Sequence, residues 1–258
     1  MPIANLEHVS LNYELGGLES DRPIVFVNSL GSDLHMWDKV VPFFESDFRT
    51  IRFDTRGHGL SGVPERPYTI DKLGGDLLGL LDHIGIESFT LCGLSLGGLI
   101  GQWIGVHATE RVNALILANS AARFLTRDAW ESRIAAVEAE GMAALAATAP
   151  SRWFTPTYIA EHPEEIHYIS GMIEMTPAKG YIGCCEVLRD TDFTELLPGI
   201  ELPCLVIGGT HDPATPPTVC RMLHEGIRGS NYVELDASHL SAWEKPAEFA
   251  AAVIEFVG

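Results

Sequence analysis

Little in this 258-residue sequence suits it to hold nucleic acid or a membrane. Its 17 Lys+Arg stand against 35 Asp+Glu, a formal charge of -18, and no dense basic stripe relieves that balance. Such a surface repels phosphate backbones and anionic lipid. No apolar run approaches the roughly 20 residues that span a bilayer, and the start, "MPIANLEHVSLNYEL", lacks the basic-then-apolar pattern of a secretory leader. Cysteine is sparse: Cys92, Cys184, Cys185, Cys204 and Cys220 form no CxxC pair, their number is odd, and adjacent Cys184 and Cys185 are poorly placed to bridge each other. Free thiols in a reducing, cytoplasmic compartment are the expectation. HExxH, a Cys/His cluster and GxGxxG are all missing, so neither a metal nor a nucleotide cofactor is expected. With 46% hydrophobic and 20% charged residues and no repeat, the chain reads as one ordered domain carrying a large insertion.

What is present alternates. Short apolar runs rich in β-branched and aromatic residues, "HVSLNYEL", "IVFV", "TIRF", "FTLC", "ALILAN", "CLVIG" and "NYVEL", have strand character, the middle ones apolar on both faces as in a covered parallel sheet. Helical spacing fills the gaps at Met36 to Ser46, Thr69 to Ile84, Leu96 to His107, Pro217 to Ile227 and Pro246 to Phe256. This predicts a doubly wound, mostly parallel α/β sheet. The alternation breaks once. Residues 124–197 hold amphipathic patterns such as "AWESRIAAVEAEGMAALAA" and "PEEIHYISGMIEM" split by prolines, which predicts a helical cap inserted into a core made of residues 1–123 and 198–258.

"FTLCGLSLGG" reads strand, then Gly93-Leu94-Ser95-Leu96-Gly97, then helix: the G-x-S-x-G turn that presents a nucleophilic serine at a strand tip, ahead of a helix N-terminus. A serine hydroxyl needs a base oriented by an acid, and in this architecture the chain order is Ser, acid, His. Asp212 follows the strand of "CLVIGGTHDPATPP", and His239 follows the strand of "YVELDASHLSAWEKP". These are the expected catalytic residues. His211 adjoins Asp212 and should face elsewhere, while His58, in the glycine-rich "DTRGHGLSG", should shape the floor of the site without moving protons. The oxyanion donors are expected to be the backbone N–H of Leu96, after the nucleophile, and of Leu30, in the turn after "IVFV".

Taken together, "DTRGHGLS", "GLSLGG", "GTHD" and "ASH", in that order, resemble the α/β-hydrolase superfamily over essentially the whole chain. "FVNSLGSDLHMWD", where many members carry His-Gly, and "CGLSLGGLIGQW", "SRWFTPTY", "GYIGCCEVLRDTDF", "GTHDPATPP" and "ELDASHLSAWEKP" resemble more narrowly the 3-oxoadipate enol-lactonases of aromatic catabolism. The resemblance implies an α/β-hydrolase fold, a small anionic lactone as substrate, ester hydrolysis without a cofactor, and the nucleophile, acid and base at Ser95, Asp212 and His239. An acidic protein that binds a carboxylate needs a local cation. Arg152 is the first choice, Arg123 and Arg189 are others, and Trp153 would wall the pocket. Another capped serine hydrolase, a carboxylesterase or a C–C bond hydrolase, would keep the triad and change the pocket; a non-catalytic binding protein of the same fold would leave Ser95 unreactive.

Overall fold

The computed structural model describes residues 2–20, 22–124 and 126–258. Its sheet contains β1 (Ile3–Asn5), β2 (Ser10–Gly17), β3 (Pro23–Val27), β4 (Arg49–Phe53), β5 (Phe89–Leu94), β6 (Val112–Ala118), β7 (Cys204–Gly209) and β8 (Asn231–Leu235), in the order β1-β2-β4-β3-β5-β6-β7-β8. β2 runs antiparallel to β1 and β4, and every pairing from β4 across to β8 is parallel. The mostly parallel sheet expected from the sequence is therefore present. β3, β5 and β7 are buried at every residue, the burial that strands covered on both faces require.

Four helices pack along the sheet: α1 (Ile70–His83), α2 (Leu96–His107), α8 (Pro217–Gly226) and α10 (Pro246–Val257). Five others stand between β6 and β7: α3 (Arg127–Thr148), α4 (Pro150–Trp153), α5 (Pro156–Glu161), α6 (Pro163–Met175) and α7 (Ala178–Asp190). α9 (Ser241–Glu244) follows β8. Prolines start α4, α5 and α6, where the missing N–H costs nothing and the fixed φ suits the first turn. α3 is broken at Gly141, whose φ of 76° an L side chain adopts only with strain.

One sequence expectation fails. The stretch from Met36 to Ser46 is two 3-10 turns, Leu34–Trp37 and Val41–Phe43, and not an α-helix. Pro42 has no N–H to give a carbonyl one turn back, and its ring crowds that carbonyl, so the chain tightens into i to i+3 bonds such as Val40 N–H to the Trp37 carbonyl. The apolar spacing still serves packing, since Trp37, Val40, Val41 and Phe44 are all buried.

The connectivity fixes where a ligand can sit. From β3 the chain steps out to β4 and then returns to β5 on the other side of β3. At such a reversal the loops leaving the two neighbouring strands part, opening a crevice at their carboxyl ends. The loops that part are Asn28 to Gly31, after β3, and Ser95, after β5. Among the described residues no helix is long and apolar enough to cross a membrane, and no group of three or more His, Cys, Asp or Glu is arranged to hold a metal ion.

Candidate active site

Ser95 sits between β5 and α2 with φ 58° and ψ -112°, a strained conformation for a residue with a side chain. Two hydrogen bonds hold it there: its N–H donates to the Ala118 carbonyl at 2.9 Å, and the Ser120 hydroxyl donates to its carbonyl at 2.9 Å. The flanking glycines are a matter of space. A Cβ on Gly93 would stand 2.2 Å from the Gly97 carbonyl oxygen, and one on Gly97 would stand 2.0 Å from the Val27 carbonyl oxygen, the backbone that ends β3. The turn thus brings the tips of β3 and β5 together only because both positions are bare.

Asp212 and His239 arrive from the loops after β7 and β8. His239 Nδ1 lies 2.8 Å from Asp212 Oδ2, and both residues are buried. Asp212 also accepts from the N–H groups of Ala214 and Thr215, at 2.7 and 3.0 Å, from the Thr215 hydroxyl at 2.6 Å and from Asn119 Nδ2 at 2.9 Å. Burial alone pushes this carboxyl up, but the His239 charge and the bonds from His239 and Thr215 outweigh it and hold it at about 2. With a carboxylate on Nδ1, the imidazole keeps its proton there and turns Nε2 outward. His211 pairs instead with Asp236, at 2.9 Å on the surface.

A cavity of about 160 Å³ brings the pieces together. Its walls include Ser29, Leu30, Ser95 and His239 from the sheet loops and Trp130, Arg133, Arg152, Trp153 and Tyr181 from the helices between β6 and β7. Ser95 and His239 meet as walls of this space and are not hydrogen-bonded to each other among the described residues; such contacts commonly tighten when substrate arrives. Glu244, in α9, ties the two halves. It accepts from the Thr155 hydroxyl and, at 2.9 Å, from the Ser238 N–H beside His239, while Leu240 N–H donates to the Trp153 carbonyl at 2.9 Å.

The donors expected for an oxyanion can be judged by what their amides do. As the first residue of α2, Leu96 has no acceptor within its helix. In the turn after β3, Ser29 N–H is taken by the Met36 sulfur and Gly31 N–H by His58 Nε2, whereas Leu30 N–H has no acceptor among the described residues.

Of the candidate cations, Arg152 lines the cavity and Trp153 forms wall beside it. Arg123 and Arg189 do not: they pair with Asp192 and Asp190 away from it. Arg133 is a charged cavity residue that the sequence reading missed. It lies three residues after Trp130 and four before Val137, both buried on α3, so a cation on an apolar stripe was the signal available. Its guanidinium stacks 5.0 Å from the Trp130 ring. Burial and then the nearby Arg133 charge pull Arg152 down. Among the described residues neither arginine is paired with a carboxylate.

His58, fully buried, is held neutral by desolvation, down to about 4. Below its ordinary 6.5 the unfolded chain takes up a proton that the folded chain refuses, so stability falls as pH drops through that window, by on the order of 3 kcal/mol at its lower end. Urea unfolding of wild type and His58→Gln at pH 7 and pH 4.5 isolates this component. The stability difference between the two proteins should shrink at the lower pH; a constant difference contradicts the assignment.

A family model for the alpha/beta hydrolase fold matches residues 22–246 of this chain. The chain is 43% identical to 3-oxoadipate enol-lactonase 2 of Acinetobacter baylyi, over 96% of this chain and 92% of that one, and 38% identical to 3-oxoadipate enol-lactonase 1 of the same organism, over 99% and 96%. Its backbone is similar to the crystal structure of the enol-lactonase from Burkholderia xenovorans LB400, with a TM-score of 0.97, 40% identity and 99% of each chain covered.

Proposed function

The chain belongs to the alpha/beta hydrolase family, and from that premise we propose that it opens 3-oxoadipate enol-lactone to 3-oxoadipate by acyl transfer, with Ser95 as nucleophile, His239 as base and Asp212 as its orienting acid. The observation that carries the reading is the content of one cavity: a serine and a carboxylate-backed imidazole share it with two arginines that, among the described residues, have no carboxylate partner. Two like charges facing a common space in a protein of charge -18 call for an anionic ligand.

In the proposed reaction, His239 Nε2 takes the Ser95 proton as Oγ attacks the lactone carbonyl. The N–H groups of Leu30 and Leu96 receive the oxyanion; removing one such donor in a comparable hydrolase costs about 3 kcal/mol. Collapse breaks the ring C–O bond, and His239 returns the proton to the enol oxygen, which stays tethered to the acyl chain. Water, deprotonated by His239, then splits the acyl-enzyme, restoring Ser95 and releasing a second carboxyl group. The freed enol tautomerises to the ketone, which discourages ring closure. Residues 124–197 act as a cap that excludes bulk water from these steps, over a core of residues 1–123 and 198–258. Five free, buried thiols favour a reducing, cytoplasmic setting.

Arg133 and Arg152 hold the substrate carboxylate in this reading, with Trp153 as a wall. Arg133→Ala and Arg152→Ala should each raise KM for the enol-lactone by about 10- to 100-fold, the value of a charge-assisted hydrogen bond, and leave KM for neutral phenyl acetate within a factor of about three. Equal KM changes for both substrates would remove the anion-binding role and favour a general carboxylesterase.

A further inference from the structure

We propose that His58 is a positioning residue of the oxyanion hole, holding the Leu30 N–H on target through the neighbouring amide of Gly31. The proposal rests on the acyl-transfer reading and deepens it.

His58 is 1% exposed and lines no part of the catalytic cavity, so it does not touch substrate. Both of its nitrogens are nevertheless engaged. Nε2 is 3.0 Å from Gly31 N, and Nδ1 is 3.2 Å from the Arg56 carbonyl oxygen. A backbone N–H can only donate and a carbonyl can only accept, so one tautomer satisfies both contacts: neutral imidazole with its proton on Nδ1. An imidazolium would turn a second N–H against Gly31 N–H, and full burial disfavours that charge.

The consequence falls on Leu30. Gly31 N–H is bound to His58, Ser29 N–H to the Met36 sulfur, and the Ser29 carbonyl accepts from Ser32 N–H. The turn is therefore fixed on either side of the Leu30 amide, which has no acceptor among the described residues. From the other face, Thr176 Oγ1, which has the Met172 carbonyl at 3.1 Å, lies 3.4 Å from the Gly31 carbonyl oxygen, and the Tyr181 ring would stand 3.1 Å from a Cβ at position 31, where φ is already 80°. A side chain at position 31 would be strained by that φ and would crowd Tyr181, and the contacts on both faces limit rotation of the Gly31 peptide.

What holds His58 is equally rigid. Arg56 makes a bidentate pair with Asp76 of α1, both bonds 2.6 Å. Asp54, at the end of β4, accepts from Leu60 N–H and from Leu34 N–H, each at 2.8 Å, joining the loop that carries His58 to the turn that follows Leu30. The "DTRGHGLSG" segment thus braces the oxyanion turn, and a histidine suits it because its two ring nitrogens, one donor and one acceptor, span from one loop to the other.

His58→Leu removes the acceptor and His58→Gln keeps one, at Oε1. Each is assayed with the enol-lactone and with trifluoroacetophenone, whose hemiketal with Ser95 places an oxyanion in the hole whatever the natural substrate is. In His58→Leu, kcat should fall about 10- to 100-fold, less than outright loss of a donor, with KM within about threefold. The affinity for the ketone should fall by the same factor, and His58→Gln should recover most of both. Unchanged kcat in His58→Leu, or no recovery in His58→Gln beyond the leucine variant, overturns the proposal. Nitrogen-15 spectra of the wild-type histidines test it without any variant: a His58 proton on Nδ1 is expected, and one on Nε2 overturns it. A wild type that binds the ketone but leaves the lactone intact would refute the substrate reading, while the ketone affinities would still decide the role of His58.

Discussion

Ser95→Ala should abolish lactone opening, with kcat down by about 10⁴-fold or more, in a protein that remains folded. The two halves of that statement have separate grounds. In the proposed mechanism Ser95 supplies the attacking oxygen, and among the described residues of the cavity wall no other hydroxyl is placed to replace it: His239 is directed by Asp212, and Ser29 has no base beside it among its hydrogen bonds. The strained backbone at position 95 is held by main-chain groups, through the Ala118 carbonyl and the Ser120 hydroxyl, and both contacts survive loss of Oγ. Thermal unfolding should therefore shift by no more than a few degrees. Near-normal turnover in this variant would mean that water attacks the lactone directly, with His239 as base.

Asp212→Asn is the second large effect, a fall in kcat of about 10⁴-fold. Five donors converge on the Asp212 carboxylate, and one of them is the imidazole. An amide offers one acceptor oxygen and two N–H groups. Whichever way it turns, some donor loses its acceptor, and an NH₂ facing His239 Nδ1 drives the imidazole proton to Nε2, the nitrogen that accepts from Ser95 in the proposed mechanism. KM should change little, since Asp212 does not line the cavity. Because the carboxyl is held at about 2, its own titration should not shape the activity of the wild type above pH 4. A loss of activity in the variant smaller than tenfold would contradict the role.

That Ser95, Asp212 and His239 converge was legible because each follows an apolar strand, and strands of one parallel sheet bring their carboxyl ends together whatever their separation in sequence. The place of Leu30 on the cavity wall was legible for the same reason, and the structure adds which neighbouring amides are already taken. Arg133 was not: on α3 its charge looks like part of a solvated helix face, and only the packing of α3 against α6 and α7 shows that this stripe faces a cavity. Asn119 was also passed over. It holds φ at 43°, donates to Asp212, and accepts from the Ser241 hydroxyl at 2.5 Å. Asparagine is enriched in that left-handed region, but a single Asn after "ALILA" does not say which way it turns. The 3-10 turns near Trp37 were misread because apolar spacing records which residues are buried, and several backbone conformations satisfy the same burial.

Consumption of 3-oxoadipate enol-lactone by the purified wild type, followed by loss of its ultraviolet absorbance beside phenyl acetate under the same conditions, tests the central claim most directly. For the lactone, kcat/KM should lie within about 10⁴ to 10⁸ M⁻¹s⁻¹ and exceed the ester value by about 100-fold or more, the contribution of one well-placed carboxylate contact. A lactone left intact, or an ester hydrolysed as efficiently, would contradict it.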